Sequence, residues 1–146
     1  MSSSSLHELP IKYLLDTNMV SYIVTGQSLA ARERMASLTD DSICCVSTVS
    51  EGEIQYGLAK RPKDIAFRSL MDGFLASVRV LPWDREEAYT YGLVRAKLQN
   101  VGTSLGSLDM MIAAHAVAIG AVLVTKDKAF GRVDDLHATV NWATDL

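Results

Sequence analysis

Four short apolar runs, each of strand length and each stopped by a polar residue or a proline, divide this chain into regular segments. Ile11-Lys12-Tyr13-Leu14-Leu15 ends at Asp16-Thr17-Asn18, and Ile43 to Val46 leads into Ser47-Thr48. Val78 to Leu81 stops at Pro82, and Ala121 to Thr125 ends at Lys126-Asp127. A further run, Ala138 to Trp142, suits a short edge strand. Helical patterns fill the gaps. Leu29 to Leu38 is rich in helix formers, and Glu51 to Lys60 carries Ile54 and Leu58 at i, i+4 spacing. Residues 65–76 repeat apolar positions at Phe67, Leu70, Met71, Phe74 and Leu75. Asp84 and Glu87 form a capping box for a helix through Leu98. Ser107 is placed to cap a helix from Leu108 to Ile119, with Gly120 where a helix C-terminus favours glycine. Strands alternating with helices predict an α/β layer fold around a mainly parallel sheet.

Composition narrows the class further. The 146 residues are 49% hydrophobic and 21% charged, which excludes intrinsic disorder at a length typical of one domain. No apolar run approaches the ~18 residues of a membrane span, and the opening Met-Ser-Ser-Ser-Ser-Leu-His-Glu-Leu-Pro lacks the cationic-then-apolar pattern of a secretory signal. The expectation is a flexible lead-in over residues 1–10 and a single domain over residues 11–146, cytoplasmic and free of membrane. Cys44 and Cys45 are adjacent, so on a strand they face opposite ways and read as small apolar residues rather than a disulfide or a metal pair.

Ligands collect at the carboxyl ends of the strands in open α/β sheets. Asp16 follows the first strand, Asp127 follows the fourth, Glu51 and Glu53 open the helix after the second, and Asp109 lies on the first turn after Ser107. Each acid has an ordinary structural use as well. Asp16 suits a turn or cap, Asp109 a helix dipole, and Asp127 an exposed loop. Glu51 stands three residues after Thr48, and Glu53 three after Ser50, so each matches a capping box and only one register can hold. None of these uses explains why the acids share one edge. Clustered carboxylates repel unless a cation neutralises them, and hard oxygen ligands suit Mg²⁺ or Mn²⁺. Ile112, Ala113 and Ala116 turn the Asp109 face inward, and Gly57 suggests close packing of the Glu53 helix. Thr17, Asn18 and Thr125 offer hydrogen bonds to orient the acids. The net charge of −3 does not exclude a nucleic-acid partner: without four of the 17 Asp and Glu, 13 remain against 14 Lys and Arg.

The segments Leu14-Leu15-Asp16-Thr17-Asn18, Val49-Ser50-Glu51-Gly52-Glu53-Ile54-Gln55-Tyr56-Gly57, Ser107-Leu108-Asp109-Met110-Met111-Ile112-Ala113-Ala114-His115-Ala116 and Leu123-Val124-Thr125-Lys126-Asp127 resemble the PIN-domain toxins of VapC type. The resemblance runs from Lys12 to Trp142. It implies a three-layer α/β/α fold with a mainly parallel sheet, and a Mg²⁺-dependent endoribonuclease, with Mn²⁺ as an alternative ion. It also implies a homodimer, or a higher toxin–antitoxin oligomer, inhibited by a VapB-type antitoxin. Position by position, the family acids fall on Asp16, Glu53, Asp109 and Asp127, the fourth position being variable in the family. The family acid precedes an apolar residue and a Gly, which selects Glu53 over Glu51. Asp16 and Asp109 are the implied central metal ligands, with Glu53 and Asp127 holding metal waters or a second ion. Water attack would leave 5′-phosphate and 3′-hydroxyl ends. Lys60, Arg61, Lys63, Arg95, Lys97, Lys126 and Lys128 are candidate phosphate contacts.

Rival readings are weaker. A phosphoacceptor or phosphatase built on Asp16 and Lys126 wants an acid at position 18 or at the end of the second run, where Asn18 and Val46-Ser47-Thr48 stand. A non-catalytic binding module of the same fold leaves the retention of all four acids unexplained. Gly102-Thr103-Ser104-Leu105-Gly106 fits a serine-hydrolase elbow, but that turn needs a strand before it and Arg95 to Asn100 reads as a helix end. His115, six residues after Asp109 and well around the helix from it, is expected to be a satisfied or exposed helical histidine rather than a catalytic one. An apolar groove for the antitoxin is expected around Val20, Ile23, Leu29, Met35 and Leu38.

Overall fold

A computed structural model describes residues 9–102 and 105–146. The Ser-rich lead-in up to residue 8 and the pair Thr103-Ser104 lie outside the described residues. The chain runs β1 (Ile11–Leu15), α1 (Thr17–Thr25), α2 (Leu29–Ala36), β2 (Ser42–Ser47), α3 (Thr48–Ala59), α4 (Ile65–Ser77) and β3 (Arg79–Leu81). It continues through α5 (Arg85–Asn100), α6 (Ser107–Ile119), β4 (Val122–Val124), a 3₁₀ turn (Lys128–Arg132) and β5 (Ala138–Val140). The sheet order is β3-β2-β1-β4-β5, and every pair is parallel.

Side-chain alternation along the strands sorts the molecule into three layers. Leu14 pairs with Cys45 and Leu123, and all three face one way, onto Val94 and Leu98 of α5 and Ile112, Ala113 and Ala116 of α6. Leu15, Val46 and Val124 face the other way, onto Met19, Val20 and Ile23 of α1, Ile54 and Leu58 of α3, and Met71 of α4. Ala113 and Ala116 of α6 are fully buried, as their inward face predicts. Gly57 behaves otherwise: a Cβ there would meet nothing within 4 Å, so no close approach depends on it. Cys44 and Cys45 are free thiols on opposite faces of β2.

Helix α1 departs from the sequence reading, which leaves residues 17–25 unassigned. Its run of Thr, Asn, Val, Ser, Tyr and Ile has weak helix propensity. The helix forms because Asp16 Oδ1 accepts Met19 N–H at 2.8 Å, because Gly26 closes it in the left-handed region at φ 74°, and because Met19, Val20, Ile23 and Val24 are buried. Arg32 donates to the freed carbonyls of Ile23 and Val24, completing the C-terminus. The same burial removes the apolar groove expected here. Val20 and Ile23 are core residues, Met35 and Leu38 pack against the core, and Leu29 is the one exposed member of that set.

Two caps also differ from expectation. Helix α3 starts directly after β2 with Ser47 as its N-cap, so neither the Thr48–Glu51 nor the Ser50–Glu53 capping box forms. Thr48 instead accepts from Trp83 N–H at 3.1 Å. Helix α6 is preceded by Gly106, and Ser107 is its first residue rather than its cap. The Asp84–Glu87 capping box and the left-handed Gly120 are present as predicted. Helix α5 runs up to Asn100, so a helix precedes Gly102 where a nucleophile elbow requires a strand.

His115 is the buried tie between α6 and the start of α3. Its Nδ1 lies 2.9 Å from Ser47 Oγ, whose oxygen also accepts Val49 N–H at 3.1 Å. Burial holds the His115 pKa below the ordinary 6.5, with the nearby Glu87 charge opposing. The neutral ring is therefore the folded form, and the unfolded chain takes up the proton first as pH falls. Wild-type stability minus that of His115→Gln should fall as pH drops below 6.5 and level off once the depressed folded value is passed. Denaturant midpoints across that range measure it, and a flat difference would contradict the assignment.

Candidate active site

The order β3-β2-β1-β4-β5 reverses direction at β1, and the crevice between the carboxyl ends of β1 and β4 is the switch point of the sheet. Leu15 pairs with Val124 there, and Asp16 N–H donates to Val124 O at 3.0 Å. Asp16, the residue after β1, lines this crevice, and Thr125, the residue after β4, is buried behind it. Asp16 is 5% exposed, and its Oδ2 accepts the Thr125 hydroxyl at 2.5 Å. Thr125 Oγ1 in turn accepts Asp127 N–H at 3.0 Å, fixing the loop that carries the Asp127 carboxylate. Asp127 Oδ1 caps the 3₁₀ turn through Ala129 N–H at 2.9 Å.

The other two acids arrive from helices. Thr17, the first residue of α1, donates its hydroxyl to Glu53 Oε1 at 2.6 Å and lies 2.9 Å from the Ser50 hydroxyl. Glu53 is thereby joined to the β1 end, whereas Glu51 makes no bond to the group. Asp109 sits half-buried on the first turn of α6. Burial raises the Asp16 pKa above its ordinary value, and the charges of Asp109 and Asp127 raise it further, against hydrogen bonds from Thr125 and Met19. Burial also raises the Asp109 pKa, followed by the charges of Asp127 and Glu53. Asp16, Glu53, Asp109 and Asp127 are thus one electrostatically coupled group, drawn from four segments of the chain.

Thr17 and Thr125 hydrogen-bond to the Glu53 and Asp16 carboxylates. Asn18 does not: it is exposed, with no hydrogen bond to the acids, and lines the crevice with Asp16, Tyr22, Lys126 and Asp127. Tyr22 is the residue that sequence reasoning missed, because α1 was itself not foreseen. Of the candidate phosphate contacts, Lys97 pairs with Asp135 at 2.9 Å, Lys60 lies over the Tyr56 ring, and Arg95 lies over Tyr91. Lys126 alone of the seven lines the crevice.

The donor set fits a hard divalent cation. Among the described residues, no three His, Cys, Asp or Glu side chains converge tightly enough to enclose an ion by themselves. The four candidate acids offer oxygen alone, without the Cys or His ligands of a structural Zn²⁺ site. An ion bound by one or two carboxylates and completed by water matches the all-oxygen, mutually repelling group.

Residues 13–136 match the PIN domain family. The chain belongs to it. It is 30% identical over 131 residues to ribonuclease VapC2 of Rickettsia felis, spanning 89% of this chain and 97% of that protein. It is 32% identical over 134 residues to the tRNA(fMet)-specific endonuclease VapC of Shigella flexneri, spanning 91% and 99%. Among solved structures, VapBC2 of Rickettsia felis bound to a promoter DNA fragment superimposes with a TM-score of 0.84 at 29% identity, covering 90% of this chain and 99% of that one. DNA-bound VapBC of Salmonella typhimurium gives 0.79 at 31% identity, covering 90% and 98%. The three-layer α/β/α reading and the VapC-type resemblance both hold.

Two outcomes test the electrostatics of this PIN domain. The raised Asp109 pKa means that its ionised form destabilises the metal-free fold at neutral pH, a penalty relieved as pH falls through the raised value. Asp109→Asn should accordingly raise the melting temperature of metal-free protein at pH 7. A lower melting temperature would contradict the coupling. Thr125→Val leaves Asp16 Oδ2 and Asp127 N–H without their partner, a loss of roughly 1–3 kcal/mol by denaturant titration.

Proposed function

We propose that this chain is a metal-dependent endoribonuclease, hydrolysing RNA phosphodiester bonds as the toxin of a toxin–antitoxin pair. The supporting observation is the coupled group of four carboxylates at the β1–β4 switch point, with two pKa values raised by burial and mutual charge. Asp16 and Asp109 would hold Mg²⁺ (or Mn²⁺), with Glu53 and Asp127 on its waters or a second ion, and the ion would supply a lower water pKa and offset charge on the leaving oxygen. The residues of the chain supply the positioning. Thr125 aims Asp16 Oδ2 and holds the Asp127 loop, while Thr17 holds Glu53 against the β1 end. Lys126 offers a cation to the RNA backbone at the rim. Water as nucleophile leaves 5′-phosphate and 3′-hydroxyl ends.

The relatives extend the reading to partners. The VapBC neighbours support a VapB-type antitoxin as partner, and a homodimer follows the family pattern. The tRNA(fMet)-specific relatives make initiator transfer RNA the first substrate to test. The localisation proposed is cytoplasmic; among the described residues no helix is long and apolar enough to cross a membrane.

The decisive assay is cleavage of end-labelled initiator tRNA and total RNA by purified protein, with Mg²⁺ and with EDTA, beside identically prepared Asp109→Asn. Discrete cuts bearing 5′-phosphates, lost in EDTA and in the variant, are expected. Cutting that survives both, or no cutting together with no heat of metal binding by calorimetry, would overturn the function.

A further inference from the structure

The crevice contains more than the acids need. Its volume is ≈ 240 Å³, and beside Asp16 and Asp127 its walls are Asn18, Tyr22 and Lys126. Asn18 and Tyr22 are four residues apart on α1, one above the other on the same face. Tyr22 packs partly against the core cluster of Leu15, Met19 and Val20, so its ring is held in place while still bordering the hollow. Among the described residues neither the Tyr22 hydroxyl nor the Asn18 amide has a hydrogen-bond partner, which leaves donors and acceptors at the wall of the hollow. Three larger hollows, of ≈ 290 Å³ beside Lys97, ≈ 460 Å³ beside Trp142 and ≈ 330 Å³ beside His115, have none of the four carboxylates in their walls.

We propose that Tyr22, Asn18 and Lys126 form a nucleobase subsite, in which Tyr22 stacks one unpaired base of the RNA, Asn18 hydrogen-bonds its edge and Lys126 meets the adjoining phosphate. The subsite deepens the nuclease reading and rests on it for the identity of the polymer. Three features select this ligand. A fixed aromatic ring offers a π-face that any base can use. An amide supplies a donor and an acceptor in one plane, as base edges require. A cation at the rim suits a backbone that is otherwise repelled by the acids. Tyr22 lies six residues beyond Asp16, about 9 Å along the helix axis, so the base belongs to a nucleotide close to the scissile bond. Stacking of this kind demands a base free of its duplex, which places the target in a loop or single strand.

The test separates the subsite from the cleavage chemistry. Asp109→Asn protein, which leaves RNA intact on the nuclease reading, is titrated with loop-bearing RNAs carrying 2-aminopurine at successive positions. One position should be quenched on binding. Adding Tyr22→Leu, which keeps apolar bulk against the core, should abolish the quench and weaken binding roughly tenfold to a hundredfold. Tyr22→Phe should restore the quench, and circular dichroism verifies each fold. An abasic nucleotide at that position should weaken binding to the Tyr22-containing protein by a similar factor, with no further loss in Tyr22→Leu. In otherwise wild-type protein, Asn18→Ala, at an exposed position, should change which base is preferred at the cut. Quenching at no position, equal quenching in Tyr22→Leu, or an unchanged base preference in Asn18→Ala would overturn the subsite. Tyr22-dependent quenching by protein whose wild-type form cuts nothing would uphold the subsite and sink the nuclease reading instead.

Discussion

The Asp16 carboxylate divides its two oxygens between two tasks, and most of the architecture follows from that division. Oδ1 accepts Met19 N–H and starts α1, while Oδ2 accepts Thr125 and belongs to the acid group. Both bonds require β1 and β4 to be adjacent and in their present register, with Leu15 opposite Val124. A slip of one residue would reverse every side chain of the strand, exchanging Leu14 with Leu15 between the two cores and turning the acid away from its partner. The strand register, the helix cap and the site geometry are therefore one constraint rather than three.

Neutral groups hold the acids in place. Thr17 holds Glu53, and Thr125 holds Asp16 and the backbone of Asp127. Among the described residues the one ion pair, Lys97 with Asp135, involves none of the four. An arginine or lysine in the position of either threonine would orient a carboxylate equally well, but it would neutralise the charge on which a cation depends. Hydroxyls fix direction and leave the charge in place. The consequence is that burial, with mutual charge added to it, raises the Asp16 and Asp109 pKa values, a penalty that a bound divalent ion would reverse.

The sheet was legible in the sequence because its strands are nearly continuous apolar runs with abrupt polar stops, the pattern of parallel strands covered on both faces. The position of Asp16 was legible for a related reason: a polar residue directly after such a strand has few places to go except the carboxyl edge, an argument that does not reach Glu53 and Asp109 on their helices. Helix α1 was not legible, since its β-branched and polar residues argue against helix locally and only the burial of Met19, Val20, Ile23 and Val24 decides otherwise. The spacing of those four, bracketed by Asp16 and Gly26, was the available signal. The start of α3 failed differently. Ser47, Thr48 and Ser50 are all chemically competent caps, and the choice falls to Ser47 at the junction with β2, where buried His115 lies 68 residues away in sequence. No local pattern contains that contact.

Missing α1 concealed more than one helix, because its first turns serve three directions at once. Thr17 and Asn18, successive residues of the helix, are rotated by about 100° and cannot share a face, while Asp16 precedes them as the extended N-cap. Asp16 turns to the sheet edge and Thr125, Thr17 to Glu53 on α3, and Asn18 to the open crevice, with Tyr22 one turn further along the same face. In an extended or irregular segment these residues would lack that fixed divergence, and the acid, its neighbour's clamp and the crevice wall would move independently. Burial of Met19 and Val20 on the opposite side sets the rotation of the whole turn. The apolar residues that make α1 a helix against its propensity are in this way the residues that aim the polar ones.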